Sequence, residues 1–273
     1  PMLLQSAARP GLTIGINGMS GNLGIALAAV VTGLLVKHLG WRAAFALPGA
    51  CCLLLSVWFW RVAPPEVQSP AKRQAAGAKP LDGSLSRLLL IMTLASTSGS
   101  LLFNFTTNSN YELLTERLAD ITSDPAQLGA LLAAVYAMAS LTQLVVGHLI
   151  DRYPIKQMYL TLIGLQMLMF ALAIHATGWW FYALQFAFMA VIFGAIPFTD
   201  AMIVRYVDDA QRSRVSGMRL AVSLGASSLA VWLIGPVVKA AGFSSLLMTL
   251  TAITVVSLTV VSQLPPTQPK SEI

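Results

Sequence analysis

Residues 147–156 read Gly147-His148-Leu149-Ile150-Asp151-Arg152-Tyr153-Pro154-Ile155-Lys156, a short charged segment between two long uncharged stretches, 125–150 and 157–199. A charged side chain costs about 2.5 to 3.5 kcal/mol at the centre of a membrane helix, so a chain that crosses a bilayer repeatedly confines its charges to such segments. The pattern therefore predicts a membrane protein with several spans.

The composition agrees with this interpretation. Hydrophobic residues make up 56% of the chain, charged residues make up only 10%, and the mean hydropathy is +0.72. Such a chain has too little polar surface to cover a soluble globule, so we expect a lipid bilayer around it.

The number of spans follows from the length that crosses a bilayer. About 20 apolar residues cross the hydrocarbon core. Uncharged runs of that length predict an all-α, polytopic membrane helical bundle with eight transmembrane helices, at 13–36, 43–60, 88–110, 128–150, 157–176, 179–204, 215–238 and 243–264.

The basic residues orient the predicted bundle, because Lys and Arg accumulate on the cytoplasmic side. Thirteen of the 17 basic residues fall on the side that holds both termini, and Arg205, Arg212, Arg214 and Arg219 are counted among them. Both termini are therefore predicted to be cytoplasmic. The net charge of +6 is interpreted as orientation rather than as a nucleic-acid footprint, so no nucleic-acid partner is expected.

Neither metal chemistry nor enzyme chemistry is indicated. His38, His148 and His175 are far apart and lack metal-ligand spacing. Cys51 and Cys52 are adjacent within the second span and are predicted to be buried small hydrophobes. No span pairs a nucleophile with a base, so we expect no enzyme, no metal and no cofactor.

A polar linker at 63–86 separates two groups of spans, and the sequence repeats itself across that linker. At a constant offset of 202 positions, glycines and lysines recur. The matched pairs are Gly15 with Gly217, Gly33 with Gly235, Lys37 with Lys239 and Gly40 with Gly242. The repeat favours a parallel duplication, with chance alignment of two glycine-rich segments as the alternative.

The segment at 147–156 resembles the loop motif G-x-L-x-D-R-x-G-R-[RK] of the major facilitator superfamily. Five positions match, while Pro154 and Ile155 stand where the motif has glycine and arginine. The resemblance implies two six-helix halves, of which this chain would carry helices five to twelve and lack the first four. It implies a multi-pass protein of the bacterial cytoplasmic (inner) membrane. The expected organisation is 1–62 as the last two helices of the N-terminal half, 63–86 as a cytoplasmic linker, 87–264 as the six-helix C-terminal half and 265–273 as a cytoplasmic tail.

Polar residues recur along one face of the third span, at helical spacings of three or four residues. Lipid does not solvate such a face, so it meets either a water-filled cleft or another helix. We favour the cleft, because the resemblance makes this span a cavity-lining helix. The predicted substrate pathway consists of Asn104, Thr107, Asn108 and Tyr111, with Gln143 across from them. This uncharged lining suggests a neutral or weakly polar solute.

Two further roles follow from the resemblance. The loop acid of one half is expected to engage a helix entrance in the other half, so Asp151 should approach the backbone amides of residues 11–14. The predicted conformational latch is Gly147, Asp151, Arg152 and Arg9.

For coupling, the candidate acid is Asp200, near the cytoplasmic end of the sixth span, with Arg205 five residues later, and it is equally well explained as an interfacial ion pair.

The function that this reading favours is secondary transport of a small molecule by alternating access, with protons as a candidate coupling ion. Gly18, Gly21 and Gly24 resemble the helix-five motif of drug antiporters, which gives efflux a slight preference, although helix packing alone explains them. The alternative is a non-transporting membrane protein or an inactive truncated carrier. The sequence sets no oligomeric state.

Overall fold

The computed structural model describes residues 10–63, 83–207 and 209–264. Within them the chain forms seven helices and no strand, which confirms the predicted all-α class. The helices are α1 (Pro10–Leu39), α2 (Trp41–Val62), α3 (Gly83–Arg117), α4 (Pro125–Arg152), α5 (Ile155–Ala173), α6 (Gly178–Tyr206) and α7 (Asp209–Ser262). Six of these, α2 to α7, are long and apolar enough to cross a membrane. The count of eight spans stays a prediction.

Helix ends follow the turn signals in the sequence. The long uncharged run 157–199 is divided where α5 ends at Ala173 and α6 begins at Gly178, close to the predicted division. Gly178 has a φ of 62°, a left-handed conformation that glycine adopts without steric cost. α3 continues beyond the predicted span, which ends at residue 110, as far as Arg117, and the acidic residues of its last turns are exposed.

α7 is 54 residues long and is interrupted at Gly242, where φ is 74° and ψ is 174°. Gly40, between α1 and α2, has nearly the same conformation, with φ 82° and ψ 166°. Among amino acids, essentially glycine alone occupies this region of backbone space. The two residues are partners in the repeat at an offset of 202, so the repeated sequence is accompanied by a repeated turn. The interruption lies between the predicted seventh and eighth spans.

The core of the bundle is built around α6. Its side chains Phe181, Phe188 and Phe198 are fully buried. One apolar cluster surrounds the N-terminal half of α6, at the end of the bundle where α3 ends. A second cluster lies toward the 151–156 segment, where Tyr159 stacks on Phe198 with ring centroids 5.1 Å apart. These clusters hold α3 to α7 together as one packed unit.

α2 differs from the other helices because none of its residues is buried. Cys51 and Cys52 are exposed free thiols, so the prediction that they are buried is wrong. The physical reason is that α2 adjoins α1 and packs into neither apolar cluster.

Substituting Gly242 with alanine is expected to destabilise the protein by about 1 to 3 kcal/mol, because alanine is strained at this φ and ψ. The measurement is the unfolding midpoint of the full-length protein in detergent. Gly235→Ala is the matched control, since Gly235 lies inside α7 in open space with ordinary helical φ. That control should be neutral or stabilising. Equal midpoints for the two variants would contradict the strain argument.

Candidate functional site

α1 and α4 meet at glycines that allow their backbones to touch. A Cβ atom added to Gly147 would lie 2.6 Å from the Gly11 carbonyl oxygen and 3.1 Å from the Gly15 Cα. A Cβ atom on Gly15 would lie 2.5 Å from the Gln143 carbonyl oxygen. Real Cβ atoms essentially never lie within 3.0 Å of another atom in this way, so this approach needs glycine on both helices. In the predicted organisation, α1 belongs to the N-terminal half and α4 to the C-terminal half.

Asp151, at the end of α4, binds the first turn of α1. Its Oδ1 accepts a hydrogen bond from the Gly11 N–H at 2.8 Å, and its Oδ2 accepts one from the Leu12 N–H at 2.9 Å. The first N–H groups of a helix have no partner within the helix, and they carry about half a positive charge together. A carboxylate there supplies both missing acceptors and the complementary charge. Gly11 is required for this approach, because a Cβ atom on it would lie 2.7 Å from Oδ1.

These two hydrogen bonds agree with the predicted approach of Asp151 to the amides of residues 11–14. The other predicted members of the latch differ in their placement. Arg152 is exposed to solvent. Arg9 lies outside the described residues. The contact that the structure shows is therefore between one carboxylate and the backbone of the opposite helix.

Gln143 also belongs to this contact. Its side chain is fully buried, and a Cβ atom added to Gly18 of α1 would lie 2.1 Å from its Oε1. Neither Oε1 nor Nε2 has a hydrogen-bond partner. From the sequence, Gln143 was predicted to lie across from the polar residues of α3. In the structure it faces α1 instead, because the glycines of α1 let that helix cover this face of α4.

The polar face of α3 is satisfied mainly by its own backbone. The Asn104 amide donates to the Ser100 carbonyl at 2.9 Å, and the Asn108 amide donates to the Asn104 carbonyl at 2.8 Å. The Thr107 hydroxyl likewise donates to its own helix, at 2.6 Å. Asn108 and Tyr111 are exposed. The face is thus polar and open at Asn108 and Tyr111, rather than bonded side chain to side chain with a neighbouring helix.

Thr97, at the start of the same face, behaves differently. Its Oγ1 lies 3.4 Å from the Ser223 Oγ of α7, and Ser96 Oγ lies 3.3 Å from the same atom. This end of the face is therefore a helix–helix contact, the alternative considered for the whole face.

Asp200, the candidate coupling acid, pairs with an arginine of helix α7. The Arg219 Nη2 donates to Asp200 Oδ1 at 2.6 Å. Arg219 lies inside α7 and is buried. The side chain of Arg205 is outside the described part of the chain. Asp200 thus takes part in an ion pair, and its role in coupling stays a prediction.

Sequence reasoning missed a buried polar cluster between α3, α4 and α6. The Asn110 Nδ2 lies 3.2 Å from the Tyr136 hydroxyl, and that hydroxyl donates to the Thr107 carbonyl at 3.3 Å. Gln185 Nε2 is 3.5 Å from the Asn110 carbonyl, and both amide side chains are fully buried. An available signal was Gln185 itself, since an amide within a span requires a polar partner.

Comparison with known proteins identifies the family. The model of the Major Facilitator Superfamily matches residues 5–113 and 98–273. The chain belongs to this superfamily. Its members are membrane transporters, so the multi-pass helical bundle described above is a transport-protein fold.

A solved structure with the same superfamily architecture is the crystal structure of a bacterial homologue of the iron transporter ferroportin in the outward-facing state. Its TM-score is 0.62 at 14% identity, and the match covers 94% of this chain and 65% of that chain. At this identity the likeness shows the fold alone. The present chain spans about two thirds of the length of that structure. No curated protein matches the sequence.

Proposed function

We propose that this chain is part of a secondary transporter that moves a small molecule across the cytoplasmic membrane by alternating access. The observation that carries the proposal is the contact between α1 and α4, in which Asp151 binds the Gly11 and Leu12 amides across the two predicted halves. Alternating access requires that a contact between halves closes one end of the pathway and can open again. A carboxylate held by two backbone amides is such a contact, because it can exchange with water.

Two opposing contributions keep this contact reversible. The Asp151 carboxylate at the α1 N-terminus stabilises the closed contact by about 0.3 to 2 kcal/mol, depending on its burial. The unpartnered amide of Gln143 destabilises it by about 1 to 3 kcal/mol, since opening would let water bind Oε1 and Nε2. These two contributions have opposite signs, as a contact that must both close and open requires.

The contact lies at the end of the bundle that carries the 151–156 segment, which is cytoplasmic in the predicted orientation. We therefore assign the described conformation to an outward-facing state, the state in which the ferroportin homologue was solved. The solute would enter from the opposite end along α3, where Asn108 and Tyr111 are exposed. Asn104 and Thr107 continue this face toward the interior.

In the full-length carrier, Asn104→Ala and Asn108→Ala should each raise the half-saturating substrate concentration about five- to tenfold, because each removes one uncharged hydrogen-bonding group from the pathway. The measurement is solute uptake into proteoliposomes. Ser98→Ala is the matched control: its hydroxyl also donates to its own helix, at 2.9 Å to Leu94, but it lies off the polar face. Identical kinetics in all three variants would remove α3 from the pathway, and no solute movement by the wild-type carrier would refute the transport function.

A further inference from the structure

Arg219 is a buried cation with unused hydrogen-bond donors. Its side chain is 7% exposed, and its Nη2 donates to Asp200. Its Nε and Nη1 have no hydrogen-bond partner. A guanidinium carries five N–H donors, and leaving a charged donor buried without an acceptor costs more than leaving a neutral one. The ion pair with Asp200 therefore leaves part of the hydrogen-bonding capacity of Arg219 unused.

The ion pair is exposed on one side. The Asp200 side chain is 50% exposed, whereas Arg219 lies behind it. Two further polar residues follow Arg219 on the same face of α7, at spacings of four residues. They are Ser223 and Ser227, and both are buried. The Ser227 hydroxyl has no hydrogen-bond partner either. A solute that reached Asp200 would thus contact a face of α7 that carries one guanidinium and two neutral hydroxyl groups.

We propose that Arg219 is a binding site for an oxyanionic group, and that a carboxylate of the transported solute exchanges there with Asp200. Arginine matches a planar carboxylate with two parallel hydrogen bonds, while Asp200 takes only one, through Oδ1. The displaced Asp200 side chain turns toward its exposed side. The charge of Arg219 stays neutralised throughout the exchange. This inference rests on the proposed transport function and names its substrate class.

The inference changes the expected solute. The polar face of α3 carries only uncharged groups and suggested a neutral or weakly polar molecule. Arg219 lies on α7, outside that face. A solute with one carboxylate and an uncharged polar remainder fits both features.

The test uses the purified full-length carrier in lipid-free detergent and measures its thermal unfolding midpoint. Sodium acetate is the probe, compared with sodium chloride at equal ionic strength and with acetamide as a neutral isostere. Acetate alone should raise the midpoint. Asp200→Asn should lower the acetate concentration that gives half of the shift at least about tenfold, because a tethered competing carboxylate is removed. Arg219→Gln should abolish the shift, and Arg214→Gln, an exposed arginine on the same helix, should leave it unchanged.

An acetate shift that persists in Arg219→Gln, or one that Asp200→Asn leaves at the same concentration, would overturn the proposal. If Arg219→Gln does not fold, Arg219→Lys replaces it, since lysine keeps the charge without the planar fork and should weaken acetate binding.

Phosphatidylglycerol is added to the purified carrier in a parallel series. A shift with this lipid and none with acetate would assign the site to a lipid phosphate and overturn the solute assignment. Acetate binding in a carrier that moves no solute would support the oxyanion site and refute transport separately.

Discussion

Gly147→Leu should force α1 and α4 apart and hold the contact between them open. A Cβ atom at this position would already lie 2.6 Å from the Gly11 carbonyl oxygen, and leucine adds three further carbons beyond it. Backbone atoms cannot yield as a flexible side chain does, so the helices must separate. The distance between helix axes depends on the side chains at the contact, and we expect an increase of about 2 Å or more.

The separation can be measured with spin labels on Ser20 of α1 and Leu141 of α4, two exposed positions. Cys51 and Cys52 are first replaced by serine, because both are exposed free thiols. Gly129→Leu is the control on the same helix, since a Cβ atom on Gly129 meets nothing within 4 Å. The label distance should lengthen in Gly147→Leu alone. An unchanged distance there would show that glycine is not needed for the approach.

Asp151→Asn should shift the population of the α1–α4 contact toward the open form by roughly tenfold, which corresponds to about 1.4 kcal/mol. Asparagine has one acceptor oxygen where aspartate has two, so either the Gly11 or the Leu12 N–H loses its partner. The substitution also removes the negative charge from the helix N-terminus. The same spin-label pair should report a larger long-distance component.

The controls for this variant use the same chemistry elsewhere. Asp120→Asn removes an exposed carboxylate after the end of α3 and should leave the distance distribution as in the wild type. Asp151→Glu keeps the charge but lengthens the side chain against Gly11, where space is already limiting, so it should restore the closed form only in part. A wild-type distribution in Asp151→Asn would show that the carboxylate does not hold the helices together.

Sequence reasoning succeeded where one local rule decides the outcome. Charges are excluded from hydrocarbon, so the uncharged runs located the long helices, and the division between Ala173 and Gly178 followed from turn residues. The contact of Asp151 with α1 was also predicted, although through the family motif rather than through the residues themselves. Gln143 was misplaced because helical spacing gives the face of a residue and says nothing about which neighbour covers that face.

By itself, the sequence determined the all-α class, the order of the helices and the repeated glycine turn at Gly40 and Gly242, since hydropathy and backbone freedom are properties of the residues. Only the tertiary structure decided which side chains meet. Asp200 pairs with Arg219, 19 positions away, because α7 returns alongside α6 and brings this later residue next to Asp200. Such pairs depend on how the packed helices lie against each other. The order of residues along the sequence does not give the distance between side chains on different helices.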